Sequence, residues 1–232
     1  MLNQPQKLSL LKFKISGLFL FLWANTLFAE EWVPVYEEPR HRLVFENDET
    51  YILNVKLEPD YVSLYHQHKA DILYVTIGGT TVWAEPLGGK RRQATVDKGD
   101  LRFSSDNHPL PHIHRVGNIG QTPFHVIGVA RKSAVTKGGT PIEGDTSGME
   151  MAMEKDHASV YRIKLAPGEK SGLHSHNLPY ARVFMSDGEI KDQKGKSSVV
   201  SAADYLWLEK EGMHSYENAG ESELEIIEVQ WR

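Results

Sequence analysis

The sequence predicts an all-β protein built from two tandem barrels. Three observations lead there. The second half of the chain repeats the first, both halves break into short strand-like segments, and no long stretch carries helical periodicity.

The repeat is the most informative of the three. Val55-Lys-Leu-Glu-Pro59 returns 108 residues later as Ile163-Lys-Leu-Ala-Pro167, and His66-Gln-His68 returns at the same offset as His174-Ser-His176. His114-Arg-Val-Gly-Asn118-Ile-Gly120 returns after 100 residues as His214-Ser-Tyr-Glu-Asn218-Ala-Gly220, and Phe124-His-Val-Ile127 as Leu224-Glu-Ile-Ile227. The order is kept, and loop lengths absorb the small drift in offset. Segments such as Tyr51–Leu57, Ile72–Ile77, Thr80–Ala84, Phe124–Val129, Val160–Leu165, Val183–Met185 and Leu224–Val229 are mostly rich in β-branched or aromatic residues. Gly78-Gly79, Gly88-Gly89, Gly99-Asp100 and Asp187-Gly188 punctuate them.

The sequence divides into a signal peptide at 1–29, a first barrel at 30–131, a linker at 132–156 and a second barrel at 157–232. In the first 29 residues Lys7, Lys12 and Lys14 are the only charges. The apolar run from Ile15 to Trp23 extends to Ala29, and Glu30 and Glu31 follow at once. That order is the one of an exported precursor cleaved after Ala29, so the mature chain is expected in the periplasm or outside the cell. Loss of three lysines takes the net charge from -5 to -8. No basic block stands out, which argues against a nucleic-acid partner, and nothing after the signal segment calls for a membrane. The linker is rich in Gly, Thr, Ser and charge, with one short helical turn expected over 149–155. With no cysteine, thiolate ligands and thiol catalysis are excluded, and any metal must be held by imidazole and carboxylate.

Residues i and i+2 of a strand face the same way. His66 and His68 therefore share a face, as do His174 and His176, and His114 and His214 are the candidate third ligands from other strands. His41, His108, His112, His125 and His157 are read as structural or solvent-facing.

With these residues the chain resembles the cupin superfamily. That family carries two histidines one residue apart, a glutamate soon after, and a glycine seven beyond the glutamate. A second motif opens near a Gly-Asp turn and closes with a histidine and an asparagine separated by three residues. The first copy reads His66-Gln-His68-Lys-Ala-Asp71, with Gly78 seven past Asp71, then Gly99-Asp100 and His114…Asn118. In the second copy Gly188 lies seven past Ala181, so the acid is missing there. The resemblance implies two tandem jelly-roll cupin barrels, with His66, His68, Asp71 and His114 as ligands of a first metal. His174, His176 and His214 form a weaker second set. Asp71 departs from the family pattern in being aspartate and one residue early.

Three imidazoles and a carboxylate suit Fe(II), Mn(II), Ni(II), Cu(II) or Zn(II), with Fe(II) favoured by the dioxygenase chemistry common among cupins of this appearance. A dioxygenase acting on a small oxygenated metabolite is the leading expectation. An isomerase, epimerase or lyase is the runner-up, and a non-catalytic binding module is the third reading. Tyr65, Arg102 and Arg115 lie near the first motifs and are weak candidates for substrate contact. A small-molecule substrate is the expected partner, and a homodimer is compatible with the sequence.

Overall fold

The structure, a computed structural model, describes residues 31–105, 112–132 and 142–232. The proposed signal segment and His108 lie outside these residues. The first half contains β1 (Trp32–Pro34), β2 (His41–Glu46), β3 (Thr50–Leu57), β4 (Tyr65–His68), β5 (Asp71–Gly78), β6 (Thr80–Pro86), β7 (Arg92–Val96), β8 (Leu101–Ser104), β9 (His112–Asn118) and β10 (Phe124–Arg131). The second contains β11 (Ile142–Gly144), β12 (Met149–Lys155), β13 (Ala158–Leu165), β14 (His174–His176), β15 (Tyr180–Phe184), β16 (Gly188–Asp192), β17 (Ser197–Val200), β18 (Tyr205–Leu208), β19 (Glu211–His214), β20 (Tyr216–Asn218) and β21 (Leu224–Trp231). All but one of the expected strand segments fall inside these bounds. Val183–Met185 overlaps only the end of β15.

Each half is a jelly roll of two facing sheets. In the first, the order β2-β3-β10-β5-β8 faces β1-β4-β9-β6-β7. In the second, β12-β13-β21-β15-β18 repeats the first order strand for strand, while the opposite wall is split into β11-β14-β19 and β17-β16-β20. No helix among the described residues is long and apolar enough to cross a membrane.

Alternation along the strands gives every sheet two faces. On β3, Leu53, Val55 and Leu57 join a core inside the first barrel. On the opposite faces, Ile52, Val75, Ile127 and Val129 meet Val160, Val183, Ile227 and Val229 in one shared core between the halves. The two large sheets therefore pack back to back, each buried on both sides. Phe45 stacks on Trp207 at 5.7 Å, and the Tyr205 hydroxyl donates to the Val44 carbonyl at 2.6 Å. Arg162 Nη2 donates to the Gly99 carbonyl at 2.6 Å.

The segment expected to be a linker contributes two strands. β12 pairs along β13 as the outer strand of its sheet, and β11 pairs with β14. Met149 packs into the second barrel's core and Met153 into the shared one, with a bulge between them. The methionines alternate in the manner of a strand, and this replaces the expected helical turn.

Two small devices hold the repeat together. Asn118 is buried and its Nδ2 donates to the carbonyls of Leu57 (2.9 Å) and Thr122 (2.8 Å), while Gly120 N–H donates to its Oδ1 (3.0 Å). Asn218 does the same with Leu165, Ser222 and Gly220. The asparagine of the second motif therefore closes a turn. The other device is the turn before β8, where Gly99 adopts φ 89° and Asp100 Oδ2 accepts from Asp97 N–H. Ala203 (φ 74°) and Asp204, with Ser201, rebuild that turn before β18. It was not visible in the sequence because alanine stands in the left-handed position that usually selects glycine.

Candidate metal centres

β4 and β9 lie side by side with His66 opposite His114. The imidazoles of His66, His68 and His114 offer ring nitrogens that all fall within 4.8 Å of one another. The Nε2 atoms of His68 and His114 are 3.1 Å apart. His66 Nδ1 donates to the Leu64 carbonyl at 2.9 Å, which leaves the lone pair on Nε2. That buried Nε2 accepts no hydrogen bond from the protein. A buried imidazole with one nitrogen committed to a carbonyl and the other aimed at two further imidazoles is the expected setting of a metal ligand. Burial, with the neighbouring His41, pushes the His66 pKa down to about 3. Burial followed by mutual repulsion drives His68 and His114 well below the usual histidine range. The three rings are therefore neutral at physiological pH, the state a divalent ion needs.

The second barrel builds the same centre and adds a carboxylate. His174, His176, His214 and Glu228 converge within 4.8 Å, all buried. His174 Nδ1 donates to the Gly172 carbonyl (3.0 Å) and His214 Nδ1 to the Gly212 carbonyl (2.8 Å). Glu228 Oε2 lies 3.0 Å from His176 Nε2 and 3.9 Å from His174 Nε2. Its Oε1 accepts from Arg182 Nε and from the Tyr216 hydroxyl, each at 3.0 Å. Burial alone would raise the Glu228 pKa, but the hydrogen bond from His176 and the Arg182 charge bring it down to about 2.

The donor count runs opposite to the expectation, with three clustered donors in the first barrel and four in the second. Asp71 is not among the clustered donors of the first site. It sits on the face of β5 turned toward the other half, where Ser105 Oγ donates to it at 3.1 Å and His157 Nε2 lies 3.0 Å away. Inward positions on β5 are Ile72, Tyr74 and Thr76, so one residue of phase decides the matter. The second site has a carboxylate, but from β21. The glycines misalign the copies, because Gly78 lies two residues past Thr76 whereas Gly188 lies four past the equivalent Phe184. The residue matching Glu228 in the first copy is Gly128, and the ring of Tyr74 occupies its space, 3.2 Å from where a Cβ would stand. The available signal was a lone acid at a core-facing position of an apolar strand, in phase with Leu224 and Ile226.

Of the weak candidates, Tyr65 and Arg115 face away from the histidines. The Tyr65 hydroxyl (2.8 Å) and Arg115 Nη2 (2.9 Å) both donate to Glu85 Oε1, and the Arg115 guanidinium covers the Tyr65 ring. Arg102 lines a cavity of about 770 Å³ inside the first barrel, with Lys90, Arg92, Tyr74, His112 and His114. His41 and His112, read as structural or solvent-facing, both line this cavity. His41 packs against His66 with ring centroids 4.3 Å apart, and His112 Nε2 is 3.1 Å from His114 Nδ1. His125 bonds Asn54 outside it.

Against solved structures, the chain is similar to a cupin 2 conserved barrel domain protein from Leptotrichia buccalis. The TM-score is 0.50 at 13% identity, over 82% of this chain and 87% of that one. The fold is the cupin fold. The chain is also similar to Bacillus subtilis oxalate decarboxylase, described with Mn(II) centres, with a TM-score of 0.57 and 14% identity over 78% of this chain and 68% of that one. In sequence it is 33% identical over 79 residues to an oxalate-binding protein of Thermotoga maritima. That stretch is 34% of this chain and 65% of the relative, so the match spans just under two thirds of that protein's length. No family model matches the sequence.

Proposed function

We propose that this chain is an exported metal-binding cupin in which the two barrels divide the work. The first binds a small carboxylate at a three-histidine metal centre, and the second holds a metal with four protein donors. One observation carries the reading. The His66–His68–His114 cluster brings no carboxylate of its own and opens on a cavity of about 770 Å³ whose wall carries Lys90, Arg92 and Arg102, whereas the second centre, beside a cavity of about 760 Å³, already has Glu228 among its donors. A divalent ion held there would supply a Lewis-acidic point for adjacent oxygens of the ligand. The protein's part is to orient three neutral imidazoles, leave the remaining positions to the ligand, and offset its negative charge from the cavity wall.

The similarity to a manganese-containing oxalate decarboxylase supports Mn(II) where the sequence favoured Fe(II), and the similarity to an oxalate-binding protein supports a small carboxylate as the ligand. A dioxygenase acting on such a ligand is the second reading, favoured by the three-histidine donor set with positions left for ligand and oxygen. The test is calorimetry of the Mn(II)- and Fe(II)-loaded mature protein against a panel of small carboxylates, with oxygen uptake followed in parallel. Micromolar to low-millimolar binding that disappears in His114→Ala supports the proposal. Oxygen loss that depends on the carboxylate, with both oxygen atoms recovered in the product, makes it a dioxygenase. Absence of any carboxylate binding to loaded protein overturns it.

A further inference from the structure

The two barrels share a fold, but their cavities are lined in opposite ways. Strand register allows a comparison position by position. In the first barrel Val82 pairs with Asn118 and Ala94, and Ala84 pairs with Val116. In the second, Ile190 pairs with Asn218 and Ser198, and Asp192 pairs with Tyr216. The two asparagines close the same turn. Ala84 therefore stands where the second barrel has Asp192, Ala94 where it has Ser198, and Val116 where it has Tyr216, and all six line their cavities. The facing sheets differ in the other sense. Tyr74 pairs with Arg102, whereas Arg182 pairs with Leu206. The second barrel buries its cation against Glu228 and exposes the leucine. The first exposes its cation and keeps its wall apolar.

The apolar row begins beside the histidines. His114 and Val116 point to the same face of β9, about 7 Å apart along the strand, and Pro86 and Ala84 stand opposite them on β6. Val55 and Val126, both buried, face the row from the other sheet. The small side chains of Ala84 and Ala94 keep the space between the walls open. A two-carbon acid would occupy little of a cavity of about 770 Å³, a size that suits a considerably larger molecule. It would also leave the apolar wall against water, where the wall contributes nothing to binding.

We propose that the ligand of the first barrel is a carboxylate with an apolar body, either an aromatic ring or a hydrocarbon chain of similar size. The carboxylate sits at the histidine centre and the body lies against Val82, Ala84, Ala94 and Val116. This rests on the reading of the first barrel as a carboxylate site and narrows it. The exposed cations Lys90, Arg92 and Arg102, set against the single acid Asp100, favour entry of the anion, and the wall selects the body.

The test is calorimetry on the Mn(II)-loaded protein with acetate and with phenylacetate, which present the same carboxylate with and without a ring. Wild type should bind phenylacetate about ten- to a hundredfold more tightly, the range for burying one aromatic side chain, and with a more negative heat-capacity change. The double variant Ala94→Ser, Val116→Thr puts hydroxyls on the wall at nearly constant volume. It should cut the preference at least threefold with metal content and acetate binding unchanged. A wild-type preference below twofold, equal heat-capacity changes for the two acids, or an undiminished preference in the variant overturns the assignment and leaves the carboxylate site standing. Should the variant lose metal, the heat-capacity comparison in wild type decides. If wild type binds neither acid, both readings fall together.

Discussion

Replacing Glu228 by glutamine tests the second centre without removing a histidine. The side chain is fully buried and meets His176, Arg182 and Tyr216 at 3.0 Å each. Glutamine keeps the volume and loses the charge, which leaves the buried guanidinium of Arg182, 6% exposed, without its counter-ion. Breaking one side of such a pair costs about 3–5 kcal/mol. At about 2–4 °C per kcal/mol for a protein of this size, the metal-free variant should melt about 6–20 °C below metal-free wild type. The Glu228 carboxyl is depressed from an ordinary 4.5 to about 2. Its contribution is therefore fully present above the ordinary value and is lost as pH falls through the folded one. The gap between variant and wild type should be flat at neutral pH and close in acid. The assay is thermal unfolding in chelator across pH, with Arg182→Met and the double variant completing a cycle. A shift under about 2 °C at pH 7, or a double variant no less affected than the sum of the singles, would refute the argument that this carboxylate and this guanidinium hold each other in place.

Metal analysis after dialysis should show His214→Ala losing more bound metal than His114→Ala, because the second barrel sets four donors in place and the first three. Equal losses would put the two sites on a par. Gly128→Glu combined with Tyr74→Ala should bring a carboxylate to the first centre and raise its metal affinity at least tenfold. Gly128→Glu alone should destabilise, since a Cβ there meets the Tyr74 ring at 3.2 Å. His66 is depressed from 6.5 to about 3, so the unfolded chain takes up the proton first. Stability of the metal-free protein is then whole above pH 6.5 and falls by up to about 1.4 kcal/mol per pH unit toward 3, which chemical denaturation at pH 7, 6 and 5 would detect. Cutting the chain at 133–141 should give fragments that stay associated or aggregate, because the shared core draws on both halves. Two soluble monomers would contradict it.

The repeat, the strand segments and the six histidines were legible in the sequence because each is carried by local order. Residue identity at fixed offsets shows duplication, and i, i+2 spacing shows which side chains share a face. Asp71 was placed among the ligands and Glu228 went unnoticed for a common reason. Whether an acid reaches a metal depends on its phase in its own strand and on how that strand registers against its neighbours. The motif searches for the acid shortly after the paired histidines, so a carboxylate supplied by β21 lies outside its reach. The apolar wall of the first cavity was likewise beyond reach, since nothing in the order of residues places Ala84 beside Val116. The sequence by itself determined the two-barrel plan and the imidazoles, through short-range periodicity. Only the tertiary structure decided which acid lies among which histidines, because that depends on register and packing between segments far apart in the chain.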